Sequence, residues 1–196
     1  ITYGEEMIAP LINDFLLAYP NINIQLDLSN QRVDLLSGGY DVAIRMGGLR
    51  DSQFIARKIA SRRLFVCASP DYLERNGEPS NLKALRLHSC IMGTADYWRF
   101  QNRGKVEHIN LEGRLRCNSG HALVDAALKG LGLIQLPDYF VQPYINSGEL
   151  MPLLMEYQEA DEGVWALYPD KQFLPFKIKT LIDFIRDKLS HKELKS

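Results

Sequence analysis

The 196-residue sequence lacks several features that mark whole classes of protein. It contains no run of about 18 apolar residues, so neither a transmembrane helix nor a membrane partner is expected. Residues 1–6 do not show the positively charged and then apolar pattern of a signal peptide. A mature secreted protein would lack that pattern as well, because the signal peptide is removed. Lys and Arg number 23 against 24 Asp and Glu, without the basic surplus typical of domains that neutralise phosphates. Direct DNA binding by this chain is therefore not expected.

Cysteine is scarce as well. The three residues Cys67, Cys90 and Cys117 are odd in number and widely spaced, which argues against a disulfide framework and fits a reducing cytoplasm. No Cys-x-x-Cys pair occurs, and the four histidines lie far apart. The sequence therefore predicts no metal site and no cofactor.

Motifs that carry catalysis are also absent. The chain has no GxSxG, no Walker loop, no HExxH and no GxGxxG. The glycines of Gly130-Leu131-Gly132 follow a predicted helix and do not form a phosphate cradle. The sequence thus predicts a protein that is not an enzyme.

The first quarter of the chain alternates helical and strand patterns. Apolar residues recur at helical spacing over residues 8–19, and Pro20 ends that helix. Residues 22–28 alternate apolar and polar side chains, as in a half-buried strand. A short helix over 32–37 and a strand over 41–46 follow. This rhythm predicts parallel α/β units.

The rest of the chain continues the alternation. Strands are predicted over 63–68, 109–116, 133–136 and 164–168. Helices are predicted to begin at Ser69-Pro70, at Ser119 and at Pro137-Asp138, and the last to cover 175–189. Ser119 is a natural N-cap and Gly130 a natural C-cap of the second of these.

Five segments together resemble the ligand-binding half of LysR-type transcriptional regulators. They are residues 8–20, 35–45 (LLSGGYDVAIR), 64–73 (LFVCASPDYL), 118–137 (from NSGHALVDAAL to LP) and 147–153 (SGELMPL). They occur in the family's order and with its usual spacing across nearly the whole chain. Each segment alone is a weak signal, and the five together are specific.

The resemblance implies an α/β fold with two Rossmann-like lobes joined by two crossing strands, similar to type 2 periplasmic binding proteins. Lobe I would comprise residues 1–67 and 167–196, and lobe II residues 68–166. Two departures from the family stand out. Its winged helix-turn-helix is not in this sequence, and only residues 1–3 could supply the expected first strand.

The same resemblance implies a regulatory domain that binds a small-molecule effector in the cleft between the lobes. The expected assembly is a homodimer, or a tetramer in the full-length protein, which contacts DNA only through the winged helix-turn-helix in the bacterial cytoplasm. The first helix, with Leu17 and Ala18, would pair with Val124 and Leu128 of the neighbour. A periplasmic solute-binding protein of the same fold is the alternative, and an enzyme on this scaffold is a third.

Ligands of open α/β sheets bind beyond the carboxyl ends of the strands, and helix N-termini there suit anions. Loops at these ends, together with the family resemblance, predict an effector site. Its candidate residues are Thr2, Tyr3, Gly4, Glu5, Ser29, Asn30, Arg45, Met46, Cys67, Ser69, Ser119, Gly120, His121 and Pro137.

Several candidates in the first lobe have two interpretations. Glu5 either complements the dipole of its helix or disfavours an anionic effector. Ser29 and Asn30 suit a turn as well as a ligand contact. Arg45 could clamp a carboxylate or pair with a neighbour such as Asp41.

The second lobe leaves similar alternatives. The N-cap hydroxyl of Ser119 would face the cleft in the family. His121 is either a pH-sensitive ligand contact or an ordinary surface residue. Cys67 is either a redox sensor or a buried, hydrophobe-like side chain.

Overall fold

The computed structural model describes residues 1–31, 35, 38–48, 54–169 and 174–193. The strands are β1 (Ala43–Met46), β2 (Phe54–Arg62), β3 (Leu64–Ala68), β4 (Tyr97–Asn102), β5 (Lys105–Asn110), β6 (Ile134–Pro137), β7 (Met151–Leu153) and β8 (Glu162–Pro169). The α-helices are α1 (Ala9–Ala18), α2 (Pro70–Asn76), α3 (Gly120–Leu128), α4 (Asp138–Ser147) and α5 (Phe176–Glu193). None of these helices is long and apolar enough to cross a membrane.

The chain divides into two compact units. Unit 1 contains residues 1–61 and 162–196, and unit 2 contains residues 62–161. The chain thus leaves unit 1 once and returns once. These bounds fall a few residues before those predicted for the two lobes, whose composition stays a prediction.

Unit 1 contains a three-stranded sheet with β8 in its centre, between β1 and β2. β1 runs antiparallel to β8, with Arg45 opposite Trp165. Helices α1 and α5 pack together, and the fully buried ring of Phe15 meets Phe184 edge-on at 5.4 Å. An ion pair from Arg57 to Asp183 joins β2 to α5 at 2.5 Å.

The first helix confirms its predicted apolar stripe. Leu11, Ile12 and Phe15 are buried, at the spacing that places side chains on one helical face. Pro10 is the second residue of α1 and lacks the N–H that would bond to the preceding helical turn. A π-helical stretch, Gly4–Ile8, precedes α1 and extends the helix toward the start of the chain.

One strand prediction in unit 1 is wrong, and the first strand that only residues 1–3 could supply is not formed there. Residues 1–3 do not form a strand, since the helix already includes Thr2 and the amide of Glu5 donates to Ile1 O at 3.0 Å. Ile22, Ile24 and Leu28 are half-buried, but Leu26 is 40% exposed, and residues 22–28 are not in a strand. Alternation sets which side chains face inward, whereas a strand also needs a neighbour for its backbone groups. Most of the helix predicted over 32–37 lies outside the described residues.

Unit 2 contains a sheet in which β3 runs antiparallel to β6 on one side and to β7 on the other. Parallel bridges extend it past β6, from Leu133 to Cys90 and from Met92 to Arg116. The prediction of parallel α/β units is therefore only partly correct. These two bridges are parallel, but β3 is antiparallel to both of its neighbouring strands.

Side chains of β3 alternate between two cores. Val66 and Ala68 face a cluster that includes the buried Trp98 of β4, whereas Cys67 faces a cluster built by α3 and α4. This period of two is the geometry of a strand covered on both faces. Helices thus cover one face of the sheet, and the β4–β5 hairpin contributes to the other.

The strand predicted over 109–116 is wrong. The chain instead forms a hairpin of β4 and β5, which ends at Asn110. Its two turn residues, Arg103 and Gly104, have φ angles of 51° and 78°. Two positive φ angles are typical of the tight type I′ hairpin turn. Only Ile109 and Asn110 of the predicted segment belong to β5. Arg103 carries a side chain in a conformation that glycine or asparagine usually adopts, so the sequence signal for the turn was weak.

The helix starts in unit 2 confirm their predictions. Ser69 Oγ accepts from Tyr72 N at 3.4 Å and caps α2, and Ser119 Oγ accepts from Ala122 N at 3.5 Å and caps α3. Gly130 ends α3 with a φ of 69°, which glycine adopts without strain. α4 begins at Asp138, directly after Pro137.

The predicted dimer surface needs a correction in α3. Val124 is 3% exposed and packs in the core formed by α3 and α4, and Leu128 packs against the same core. Both side chains are therefore occupied within unit 2. Leu17 on α1 is 84% exposed, so its part of the predicted surface is accessible in this chain.

Backbone contact at Gly113 makes this residue sensitive to substitution. A methyl group there would overlap Cys90 O, in the neighbouring segment of the sheet. We expect Gly113→Ala to lower the free energy of unfolding by about 1–3 kcal/mol, because backbone must shift. Chemical denaturation followed by circular dichroism measures this change. Gly48→Ala is the matched control, since nothing lies within 4 Å of its Cβ position. Equal effects of the two substitutions would contradict the predicted contact.

Candidate functional site

The carboxyl edge of the sheet in unit 2 gathers several predicted site residues. Cys117 N donates to Met92 O at 2.9 Å, so the segments that follow these two residues leave the sheet side by side. Leu133, directly before β6, forms a parallel bridge with Cys90, which precedes Met92 in its segment, and β6 ends at Pro137. Ser119, Gly120, His121 and Pro137 therefore lie at one edge, where ligands of open α/β sheets bind.

Helix α3 begins at this edge with polar, exposed residues. Ser119 and His121 are both exposed, and the amide of Ser119 donates to Cys117 Sγ at 3.5 Å. The first amides of a helix carry partial positive charge and favour anions or other acceptors. This end of α3 can therefore accept hydrogen bonds through the Ser119 hydroxyl and donate them from its first turn.

The ring of Phe140 packs against the start of α3. A methyl group at Gly120 would overlap its ring, which also meets the His121 ring edge-on at 5.2 Å. Phe140 is only 8% exposed. Sequence reasoning did not single it out, although a helix start at Pro137-Asp138 places residue 140 in the first turn of α4, near the same edge.

Arg63 joins three segments at this edge. Its backbone exchanges two hydrogen bonds with Asp138, at 2.8 Å and 3.1 Å. Its guanidinium binds Asp161 through two bonds, at 2.5 Å and 3.1 Å, and this partner raises the pKa of Arg63. Burial raises the pKa of Asp138, against the lowering effect of the amides of Arg63 and Tyr139. The Arg63 charge is thus matched locally, although the pair is exposed and contributes about 1 kcal/mol at most.

Cys67 and Ser69 lie at the opposite edge of the sheet, because β3 is antiparallel to β6. Ser69 is 3% exposed and caps α2. Cys67 is fully buried, and burial raises the pKa of its thiol to about 12. These features favour the interpretation of Cys67 as a buried, hydrophobe-like side chain.

Two predicted loops of unit 1 come together at the start of the first helix. Gly4 packs on Leu28, since a methyl group there would lie 2.5 Å from Leu28 Cδ2. Ile1 N donates to Asn30 Oδ1 at 2.6 Å. Ser29 Oγ accepts from Gln31 N at 3.1 Å, so Ser29 does form a turn.

The other residues of the first predicted loop differ in exposure. Tyr3 is 6% exposed and belongs to the core, whereas Thr2 and Gly4 are half-buried. Glu5 is exposed in the first turn of the π-helical stretch. This position suits dipole complementarity, and it leaves the carboxylate accessible to solutes.

Arg45 and Met46 end β1, opposite the start of β8. Arg45 is half-buried and pairs in register with Trp165, and Met46 is 41% exposed opposite Val164. Gly47 continues this pairing, with its amide donating to Gly163 O at 3.1 Å. The arrangement is compatible with both interpretations of Arg45.

A small polar cavity also lies inside unit 2. Its volume is about 10 Å³, and its polar lining residues are Arg99, Gln135, Gln158 and Glu159. Arg99 pairs with Glu159 at 2.6 Å, and the Gln135 amide makes two bonds to the Arg99 backbone, at 2.7 Å and 2.9 Å. The cavity has room for about one water molecule, which is too little for an effector.

Comparison with known sequences identifies the family. The LysR substrate binding domain matches residues 1–190. This chain belongs to that family. An uncharacterised HTH-type transcriptional regulator of Haemophilus influenzae is 31% identical over 180 residues, which are 90% of this chain and 62% of the relative. The HTH-type transcriptional activator TtdR of Escherichia coli K12 is 27% identical over 188 residues, 93% of this chain and 60% of TtdR.

Solved structures of this family have the same fold. The regulatory domain of AphB from Vibrio vulnificus has a TM-score of 0.82 at 29% identity, covering 95% of this chain and 94% of that one. The CrgA regulatory domain from Neisseria meningitidis has a TM-score of 0.79 at 28% identity, with coverage of 95% and 94%. The family and the type 2 periplasmic-binding-protein-like fold are therefore confirmed.

These similarities also show which part of such regulators the chain matches. It has the sequence and fold of the substrate-binding, or regulatory, domain of LysR-type transcriptional regulators. The chain spans about three fifths of the length of the curated relatives it matches. Those relatives are transcriptional regulators, and the alternative of a periplasmic solute-binding protein is not favoured.

The thiols provide a test of the site in unit 2. Cys67 and Cys90 are buried and burial raises the pKa of each to about 12, whereas Cys117 is half-buried. We expect the native chain to expose one reactive thiol at pH 8, that of Cys117, because the buried thiols are almost entirely protonated. Titration with Ellman's reagent measures this number, and Cys117→Ser should abolish the fast reaction. Fast reaction of that variant would contradict the burial of the other two.

The contact between Gly120 and Phe140 gives a second test. Alanine usually stabilises a helix relative to glycine by about 0.5–1 kcal/mol. At position 120 we expect destabilisation instead, by about 1 kcal/mol or more, because the methyl group displaces a buried ring. In a Phe140→Leu background the same substitution should be neutral or stabilising. Denaturant titrations of the four proteins form the cycle, and simple additivity would show that the two residues are not in contact.

Proposed function

We propose that this domain senses a small-molecule effector for a longer LysR-type transcription factor. The observation that carries the proposal is the match of residues 1–190 to the family's substrate binding domain. The chain covers about three fifths of its curated relatives, which are HTH-type regulators. DNA binding would belong to a winged helix-turn-helix in the remaining part of such a protein.

Within unit 2, the effector would bind at the carboxyl edge beside Ser119, Gly120, His121 and Pro137. Exposed hydroxyl and imidazole groups at the start of α3 support this choice, because they can bond to a polar ligand. From unit 1 we propose the neighbourhood of Thr2–Glu5, Ser29 and Asn30, together with Arg45 and Met46. The cleft between two lobes remains a prediction from the family resemblance.

We further propose that the complete regulator is a dimer or tetramer in the bacterial cytoplasm. The exposed Leu17 on α1 supports a protein contact at that helix. An effector would act by binding one arrangement of the domain more tightly than another. It can shift the equilibrium only by that difference in affinity.

A thermal-shift screen of the purified chain against a few hundred metabolites tests the proposal. A compound at 100 times its dissociation constant should stabilise the domain by about 2.7 kcal/mol, because it binds only the folded state. That corresponds to a midpoint shift of roughly 5–11 °C for a chain of this length, because each kcal/mol shifts the midpoint by about 2–4 °C. Isothermal titration calorimetry then confirms each stabilising compound.

Two serine variants make the test specific. Ser119→Ala and Ser69→Ala each remove an N-cap, which costs about 1 kcal/mol, but the two residues lie at opposite edges of the sheet. We expect only Ser119→Ala to weaken the binding of a confirmed compound. Equal weakening would extend the site to Ser69, and unchanged binding in Ser119→Ala would place the site elsewhere. A screen without any stabilising compound would argue against a small-molecule sensor.

A further inference from the structure

A cluster of hydrogen bonds in unit 2 joins helix α2 to the segment that enters the sheet at Cys90. Tyr72 of α2 is 3% exposed, and its hydroxyl oxygen lies 3.2 Å from His88 Nδ1. The amide of Ser89 donates to the same oxygen at 2.9 Å. Cys90 then forms the parallel bridge to Leu133. One side chain of α2 therefore holds the start of this part of the sheet.

The hydrogen bonds of Tyr72 determine which nitrogen of His88 carries a proton. Because the Tyr72 oxygen accepts from Ser89 N, its own O–H remains available to donate, and His88 Nδ1 lies within reach. If Nδ1 carried a proton instead, this buried hydroxyl would have no acceptor among the described residues, at a cost in free energy. We therefore expect a neutral His88 with its proton on Nε2.

The surroundings of His88 disfavour its cationic form. Burial lowers the pKa of His88 from its ordinary value of 6.5. From α2, Tyr72 faces the imidazole and the charge of Arg75 acts on the Tyr72 hydroxyl. Along its own segment, Arg86 is an exposed cation, and burial raises the pKa of the Cys90 thiol to about 12. None of these groups is a carboxylate that could compensate an imidazolium.

The turn after α3 is the third element at this place. Its residues 130–132 contain no titratable side chain. Arg75 Nη2 donates to Gly130 O at 3.0 Å, which places a guanidinium between α2 and this turn. A proton on His88 would therefore add a second cation near Arg75.

We propose that Tyr72 and His88 form a proton-sensitive latch, which holds α2 to residues 88–90 while His88 is neutral and loosens when His88 is protonated. A protonated Nδ1 is a donor and faces the donating O–H of Tyr72, so the bond between the two side chains is lost. The Tyr72 oxygen could accept from Nδ1 only in competition with the amide of Ser89. The latch would give the domain a response to acid that does not depend on the proposed effector.

The direction of this response follows from the burial of His88. Because folding lowers the pKa of His88, the unfolded chain takes up this proton at a higher pH than the folded chain does. The latch therefore contributes fully to stability above the ordinary pKa of 6.5. Its contribution decreases as the pH falls from there toward the lower pKa of the folded state.

Two NMR measurements on the complete chain, without any ligand, test the state of the imidazole. Long-range ¹H–¹⁵N spectra at neutral pH identify the tautomer, and we expect a proton on Nε2 and none on Nδ1 of His88. A pH titration then compares His88 in the folded chain with the same residue in the chain unfolded by urea. We expect the lower pKa in the folded chain. A proton on Nδ1 at neutral pH, or equal pKa values in the two states, would overturn the proposal.

Hydrogen exchange shows whether the proton loosens the contact. After correction for intrinsic exchange, we expect the protection of the Ser89 amide to fall roughly three- to tenfold from neutral to mildly acid pH, as for one lost hydrogen bond. His88→Asn should keep this amide protected at both pH values, because the side-chain oxygen of asparagine can replace Nδ1 and does not titrate.

The matched control is His108→Asn, since His108 is exposed on β5 and stacks on Tyr97 at 4.4 Å, outside the latch. This variant should lose protection at Ser89 on acidification as the parent chain does. An equal loss in His88→Asn would show that His88 is not the switch. If His88→Asn does not fold, the tautomer and the titration of the parent chain decide the question.

Discussion

The antiparallel course of β3 determines how unit 2 is arranged. Because β3 runs against β6, its first residue lies beside Pro137 and its last residue lies at the far edge. Arg63 is thereby brought to the carboxyl edge, where it meets Asp138 and Asp161. Cys67, near the other end of β3, is fully buried, and Ser69 follows β3 and caps α2. Residues that are close in sequence thus serve opposite ends of one sheet.

Charge at the carboxyl edge is largely neutralised within the protein. Arg63 pairs with Asp161, and Arg116 with Asp96. The groups that remain accessible are mostly uncharged donors and acceptors, such as the hydroxyls of Ser119 and Thr94. Such a surface favours recognition of a ligand by the placement of its polar atoms rather than by its net charge.

Local signals were enough to predict the five α-helices and four of the strands, β1, β3, β6 and β8, but not the other strands. Caps such as Ser69 and Ser119 act on amides within their own turn, so a short window of sequence contains the whole interaction. The alternation over 22–28 depends on a partner strand that no local pattern specifies. The hairpin turn at Arg103 was missed because its conformation is set by the strands on either side.

The candidate site divides in the same way. The start of α3 was predicted from its cap and from the family resemblance. Phe140 was not, since it reaches the edge through contacts with residues far away in sequence. Arg116 illustrates the limit, because nothing near it along the chain indicates that its guanidinium lies 3.3 Å from both Gly93 O and Ala95 O.

The two tryptophans of the chain are divided between the two units. Trp98 is buried under the sheet of unit 2, and Trp165 lies half-buried in β8 of unit 1. Replacing either one with phenylalanine leaves a single indole, whose emission reports on one unit alone. The chain thus carries an intrinsic optical probe in each half. Such probes can reveal whether the two halves melt in one step or in sequence.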